Sequence, residues 1–415
     1  MITVDLNEHG FDDCRLTSNK TELSGILPNY KDLRSLVKKG EQYILSRPLK
    51  NKIHPAYIVT EEICSGKYGR IYHAMRTDLT KTSHEYSDIV IKELAINVSK
   101  DEMKEKGKET ATLNAIESNM FEGIIHALVH KMFETLGLYS IVPTLYEICA
   151  RSKKDSILVP SDIECIDIMM EYIHGYTLQD YMTVYFTRIQ NAALHDHMPE
   201  SISKCRIRNE QLLLDILIQL ACYLDVLQTN LRFNHRDLKI NNILVRKTSS
   251  TRISSTIRKL IHPSLITPYE CKNDIVIIDY GFSCIACSNT NKSCLEAGSY
   301  FKQGYECMKS GRDLALFLYS VNAIFPFVHH VSGPVYTLLQ SLLVAVDSDG
   351  NTYNLLNGFD KDGNIRKHEK IEESVGEKGE FHEGIYLFLR RNDIEIPNCD
   401  PVFILDKLDK RGYVL

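Results

Sequence analysis

From Gln211 to Leu231 (QLLLDILIQLACYLDVLQTNL) the chain is apolar on almost every side of a helix, with a narrow polar stripe at Asp215, Gln219, Cys222 and Asp225. A helix with so little polar surface must be surrounded by protein. It carries two aspartates. Its most apolar part, Leu212–Leu227, and the second apolar stretch, Leu314–Val328, are both shorter than a membrane span, so both predict buried core helices and no membrane partner. The opening MITVDLNEHGFDDCR has no basic segment followed by an apolar one, which argues against a secretory signal. Twelve cysteines in 415 residues fall well short of a disulfide scaffold. The expectation is an intracellular protein in a reducing compartment, cytoplasm or nucleus, with free thiols. Lys plus Arg is 49 and Asp plus Glu is 54, a net charge of −5, which excludes a broad basic surface for nucleic acid.

Residues 1–56 are mixed and polar and read as an extension, with an amphipathic helix at Tyr30–Ser46. From Tyr57 the pattern turns to short β-type blocks, YIVTEEIC, GRIYHAMR and DIVIKELAI, which predict an antiparallel sheet. Glu109–Leu136 is helical: Leu113, Ile116, Met120, Ile124 and Leu128 recur at three- and four-residue steps. IVPTLYEICA and ECIDIMMEYI read as strands again, as do ILVRK and DIVIIDYG after the buried helix. KTSSTRISSTIRK, between the last two, reads as an inserted loop. VDSDGNTYN and FDKDGNIRK resemble calcium loops, but their glycines stand fourth from the first Asp, not sixth, so they predict tight Asp-Gly turns.

The segment that carries chemistry is His235-Arg236-Asp237-Leu238-Lys239-Ile240-Asn241-Asn242, set between the buried helix and the strand Ile243–Val245. Asp237 offers a carboxylate that can orient an attacking hydroxyl and accept its proton. Lys239 can place an ammonium beside a transferring phosphoryl group, and Asn242 supplies a neutral oxygen for a metal. Asp279-Tyr280-Gly281, ending the strand IVIID, adds a carboxylate suited to Mg²⁺.

These residues resemble the catalytic loop HRDLxxxN and the DFG motif of the eukaryotic-type protein kinases, Ser/Thr type. Other motifs of that family follow in order. Cys64-Ser65-Gly66-Lys67-Tyr68-Gly69-Arg70-Ile71 is similar to the Gly-rich loop, with Cys64 in place of the first glycine, and Ile89-Val90-Ile91-Lys92 is similar to the strand motif that carries the ATP-binding lysine. Met170-Glu171-Tyr172-Ile173 resembles the hinge, with Met170 as gatekeeper and backbone groups at the adenine edge. Gly311-Arg312-Asp313-Leu314 resembles the start of the helix after the activation segment, where Asp313 would brace the catalytic loop through its backbone. Either Glu122 or Glu117 could be the helix glutamate that fixes Lys92; FEGIIH, which holds Glu122, resembles this helix in kinases of large DNA viruses.

The resemblance spans about Tyr57 to Phe325 and implies an α+β fold of two lobes. The small lobe would cover about 57–170, the hinge about 171–175 and the large lobe about 176–415. It implies ATP and Mg²⁺ as cofactors and a protein substrate, with Asn242 and Asp279 as metal ligands. Lys239 is the residue that goes with serine/threonine specificity. A viral kinase would act in the host cell or the virion.

The chain departs from the family in two places. Asp237 and Asp279 stand further apart than usual, and no Ala-Pro-Glu motif follows Asp279-Tyr280-Gly281. In this segment the chain resembles the haspin-like branch. Two rivals stand beside a protein kinase: a small-molecule phosphotransferase of the same fold, and a pseudokinase scaffold that binds nucleotide without turnover. Cys271, Cys284, Cys287 and Cys294 could form a metal site, but one C-x-x-C without a second pair favours ordinary thiols.

Overall fold

The β-type blocks that begin at Tyr57 form an antiparallel meander. Strands β1 (Tyr57–Gly66), β2 (Gly69–Thr77) and β3 (Tyr86–Ala95) pair in sequence order. The computed structural model describes residues 57–66, 69–77, 86–98, 100–136, 141–152, 163–195, 199–246, 259–286, 293–298, 305–358 and 380–413. The helix expected at Tyr30–Ser46, most of the inserted loop and the second Asp-Gly turn lie outside them. After β3 come a short helix α1 (Lys100–Lys106) and the long α2 (Lys108–Thr135), then β4 (Leu145–Ser152) and β5 (Ile163–Glu171). The five strands form one sheet in the order β1-β2-β3-β5-β4.

Alternation along β3 sorts its side chains. Ile89 and Ile91 are buried on one face with Tyr72, Ala74, Cys149 and Met169. Lys92 points to the other face, where α2 lies. The apolar stripe predicted for α2 is buried at Ile116, Met120, Ile124 and Leu128, and Phe121 and Ile125 are buried beside it.

Beyond β5 run a short strand β6 (Gly175–Thr177) and helices α3 (Leu178–His195) and α4 (Pro199–Leu231). The buried helix expected from Gln211 starts earlier, at Pro199. Proline there is compatible with a first helical turn, where no backbone N–H is needed. By length and composition its Ile202–Leu231 stretch could cross a membrane, but 83% of its most apolar 18-residue window is buried inside the protein.

The polar stripe on α4 has an internal purpose. Fully buried Asp215 accepts hydrogen bonds from the Tyr269 hydroxyl (2.9 Å), the Lys272 and Asn273 amides (3.0 Å each), Asn273 Nδ2 (2.8 Å) and Gln219 Nε2 (3.1 Å). Asp225 pairs with His262 Nε2 at 2.8 Å. The stripe therefore pins the segment between β7 (Ile243–Arg246) and β8 (Ile275–Ile277), two strands that form a small sheet with β6.

Strands β9 (Cys284–Ala286) and β10 (Ser293–Glu296) form a hairpin. The rest is helical with one small sheet: α5 (Arg312–Ile324), α6 (Gly333–Leu342), β11 (Val344–Asp347), β12 (Thr352–Asn354), α7 (Glu380–Arg390), β13 (Ile394–Glu395) and α8 (Pro401–Lys410). The turn between β11 and β12 is closed by Asp347, which accepts from the Asp349 and Asn351 amides, Asn351 Nδ2 and the Tyr353 hydroxyl. These bonds hold its carboxyl down near pKa 2 and make it a turn organiser, as the Asp-Gly spacing predicts.

The described residues fall into two compact units. The first runs up to Ile173 and includes the segment from Tyr280 to Tyr300; the second runs from His174 to Asp279 and resumes after Tyr300. One expectation about the cysteines is corrected. Cys64, Cys149, Cys165, Cys205, Cys222, Cys271 and Cys399 are outside any disulfide, but Cys284 and Cys307 are each part of one. Spacing in a sequence does not reveal which cysteines meet in space.

Candidate active site

In the first unit Lys92 Nζ lies 2.5 Å from Glu122 Oε1, with both side chains largely buried. Of the two glutamates weighed from sequence, Glu122 is the one on Lys92; Glu117 sits more than a turn earlier on α2. Two features bring α2 close enough to the sheet. Asn119 Nδ2 donates to the carbonyls of Leu94 (3.3 Å) and Ala95 (3.2 Å) at the end of β3. Gly123, next to Glu122, faces β4 so closely that a Cβ there would lie 2.5 Å from Ile148 Cδ1. A mid-helix glycine costs about 1 kcal/mol against alanine, and here it allows the approach.

One turn beyond Glu122, buried His126 donates from Nε2 to the Pro143 carbonyl at 2.7 Å. Its ring stacks on that of Tyr280, with centroids 5.0 Å apart and planes at 26°. Burial lowers the His126 pKa to about 4 and pushes the Tyr280 phenol well up, so both rings are neutral near pH 7. The residue after Asp279 is thereby packed on the helix that carries Glu122.

The Gly-rich segment joins β1 to β2. Cys64, Ser65 and Gly66 are exposed at the end of β1, and Ile71 is half-buried in β2; Lys67 and Tyr68 lie outside the described residues. The two glycines differ. A Cβ at Gly66 would meet nothing within 4 Å, whereas one at Gly69 would fall 1.8 Å from the Glu93 carbonyl oxygen. Gly69 is therefore required by the pairing of β2 with β3, independently of any ligand. In the stretch Met170–Ile173, the Glu171 and Tyr172 amides are spent on the carbonyls of Thr144 (2.8 Å) and Asp88 (3.3 Å), so they are not donors for an adenine edge. Glu171 Oε2 also accepts from the Thr144 amide at 3.1 Å.

In the second unit the segment Asn234–Asn242 is held by fully buried Asp313 near the start of α5. Asp313 Oδ2 accepts from the His235 amide (2.8 Å) and Asn234 Nδ2 (3.0 Å); Oδ1 accepts from the Arg236 amide (2.8 Å). Arg236 has a φ of 64°, the left-handed region that a residue with a Cβ adopts only under constraint. Its buried guanidinium donates to the Glu306 carbonyl, as does that of Arg312.

Asp237 is 4% exposed. Its Oδ2 meets Asn242 Nδ2 at 2.9 Å and Lys239 Nζ at 3.0 Å. Asn242 Nδ2 also donates to the Asp237 carbonyl at 2.8 Å, which orients the amide and leaves Oδ1 as its acceptor oxygen. Asn242 and Asp279 come close along the chain's own pairing. The Ile278 amide donates to the Asn242 carbonyl (3.0 Å), and His235 Nε2 donates to the Ile278 carbonyl (3.1 Å). Ile278 is clamped on both sides, and exposed Asp279 follows it with a φ of 68°. The second unit thus gathers a carboxylate with its own lysine, a neutral amide oxygen and a second carboxylate.

One neighbour of this group was not legible in the sequence. The hydroxyl of Tyr386, on α7, donates to Asp237 Oδ1. No motif of the family is legible in the chain beyond Phe325, and nothing in EFHEGIYLFLR singles out the tyrosine. Outside the site, Glu93, Cys165 and Asp167 bring ligand-type atoms within 4.8 Å of one another on the sheet face opposite Lys92, where the Cys165 thiol donates to Asp167. No curated protein matches the chain. A family model described as a haspin-like kinase domain matches residues 37–296.

Proposed function

The chain belongs to the haspin-like kinase family, and from that premise we propose that it is a serine/threonine protein kinase acting on the hydroxyl of a protein substrate inside a cell. The observation that carries the proposal is the setting of Asp237. Its carboxylate is held at one oxygen by Asn242 and Lys239, on a loop braced by Asp313. A general base has to be fixed before it can orient a hydroxyl, and this one is.

The side chains also suit Mg-ATP. Asn242 keeps an amide oxygen and Asp279 an exposed carboxylate, the hard oxygen donors that Mg²⁺ takes. Lys92, oriented by Glu122, supplies a cation for phosphate oxygens. When bound, Mg-ATP supplies the γ-phosphoryl group and the charge neutralisation that transfer requires. The chain's own residues do the rest. Asp237 orients the acceptor hydroxyl and receives its proton as the bond to phosphorus forms. Lys239, salt-bridged to Asp237, offsets negative charge that develops beside it. Much of the rate then comes from positioning and electrostatics, because the transition state is largely dissociative.

Lys239 favours serine or threonine over tyrosine by resemblance to the family. The experiment is transfer of labelled phosphate from ATP to a mixed protein substrate, followed by phosphoamino-acid analysis. Phosphoserine or phosphothreonine supports the proposal. Label on small molecules alone, or none, would replace it with a small-molecule phosphotransferase or a non-catalytic scaffold.

A further inference from the structure

The Tyr386 hydroxyl lies on the one carboxylate oxygen of Asp237 that Asn242 and Lys239 leave open, Oδ1. Asp237 is almost wholly buried, so an incoming hydroxyl cannot reach Oδ1 while the phenol is there. The phenol is presented from a fixed element: Ile385, Phe388 and Leu389, its neighbours on α7, are all buried. A hydroxyl that donates to the oxygen of a general base has the same donor chemistry as an acceptor hydroxyl about to be phosphorylated.

We propose that Tyr386 is a built-in occupant of the acceptor position. Its phenol holds Asp237 Oδ1 between turnovers, keeps water off that oxygen, and is displaced when a serine or threonine of the protein substrate binds. Substrate binding is then a competition against an intramolecular hydrogen bond to a charged group, and a bond of that kind is strong enough to shift apparent affinity about tenfold. The same occupancy suppresses futile hydrolysis of ATP, because water has no unshielded base to use.

This inference rests on the kinase proposal, and the test separates the two. Full-length wild type and Tyr386→Phe are compared in three measurements: phosphorylation of a degenerate serine/threonine peptide library, ATP hydrolysis without acceptor, and binding of the same labelled library by fluorescence anisotropy without ATP. Phenylalanine keeps the ring and removes only the hydroxyl, and a matching melting curve verifies the fold. The inference predicts about tenfold tighter peptide binding, a correspondingly lower KM, undiminished kcat and faster acceptor-independent hydrolysis in the variant. Unchanged binding and KM would overturn it. So would a fall in kcat at constant KM, which would make Tyr386 a positioning residue for Asp237. Phosphate found on Tyr386 itself would also overturn it, by making the phenol an acceptor. If neither protein transfers phosphate, the kinase proposal falls, and the anisotropy titration still decides whether Tyr386 occupies the peptide's place.

Discussion

Asp313→Asn is the most informative single change in the second unit, because it alters one atom of a buried carboxylate with three hydrogen-bond donors on it. In its better orientation the asparagine oxygen still serves the His235 amide and Asn234 Nδ2. Its NH₂ group is then set against the Arg236 amide, donor facing donor. Losing a charge-assisted bond and stranding a buried N–H together cost about 3 kcal/mol. The freed Arg236 backbone, at a φ of 64°, then has reason to relax out of the left-handed region. Asp237 is the next residue, and misplacing a reacting group by about 1 Å can cost on the order of a hundredfold in rate. The assay pairs a urea titration, followed by far-UV circular dichroism because the chain has no tryptophan, with initial-rate kinetics. The expected result is a lower urea midpoint and a kcat reduced about a hundredfold, with the KM for ATP little changed. A variant with wild-type midpoint and wild-type kcat would refute the claim that Asp313 sets the geometry of the catalytic loop.

Two further predictions concern the first unit. Gly69→Ala should lower the urea midpoint by the equivalent of about 2 kcal/mol or more, because its Cβ falls on the Glu93 carbonyl. Gly66→Ala should leave the midpoint unchanged and weaken nucleotide binding, measured by titration with a fluorescent ATP analogue; equal loss of stability in both variants would contradict the distinction. His126 gives a pH dependence. Its native pKa of about 4 lies below the unfolded value of 6.5, so the unfolded chain binds the extra proton. Stability is therefore full above pH 6.5 and is lost as pH falls toward 4, by about 3 kcal/mol at the low end. His126→Phe should flatten the profile in that window, and buried His330, also held near 4, should keep part of the slope; an unchanged profile would count against the burial argument.

Much of the architecture was legible because its physical causes are local. Short blocks rich in branched and aromatic residues gave β1 to β5, and the three- and four-residue apolar rhythm gave α2 nearly to its ends. The start of α4 was missed because ESISKCRIRN is mostly polar, with three apolar residues in ten. The polar stripe on α4 was visible, but not its purpose, since Asp215 acts on Tyr269, Lys272 and Asn273, far away in sequence. At the site, Asp237, Asn242, Asp279 and Lys92 were legible from motif resemblance. For the partner of Lys92, the FEGIIH resemblance favours Glu122 over Glu117, and Glu122 is the glutamate found on Lys92. Tyr386 was out of reach, because a lone tyrosine on an apolar helix face looks like any core residue until the fold brings it to Asp237. The disulfides of Cys284 and Cys307 were invisible for the same reason.

The central claim is that Asp237 directs phosphoryl transfer from ATP to a protein hydroxyl. The most direct measurement compares purified wild-type and Asp237→Asn chains, each given labelled Mg-ATP and a mixed protein substrate, with nucleotide binding measured in parallel. The account predicts label on serine or threonine with the wild type, loss of nearly all of it with Asp237→Asn, and equal nucleotide affinity for both. Transfer by Asp237→Asn at the wild-type rate would contradict it.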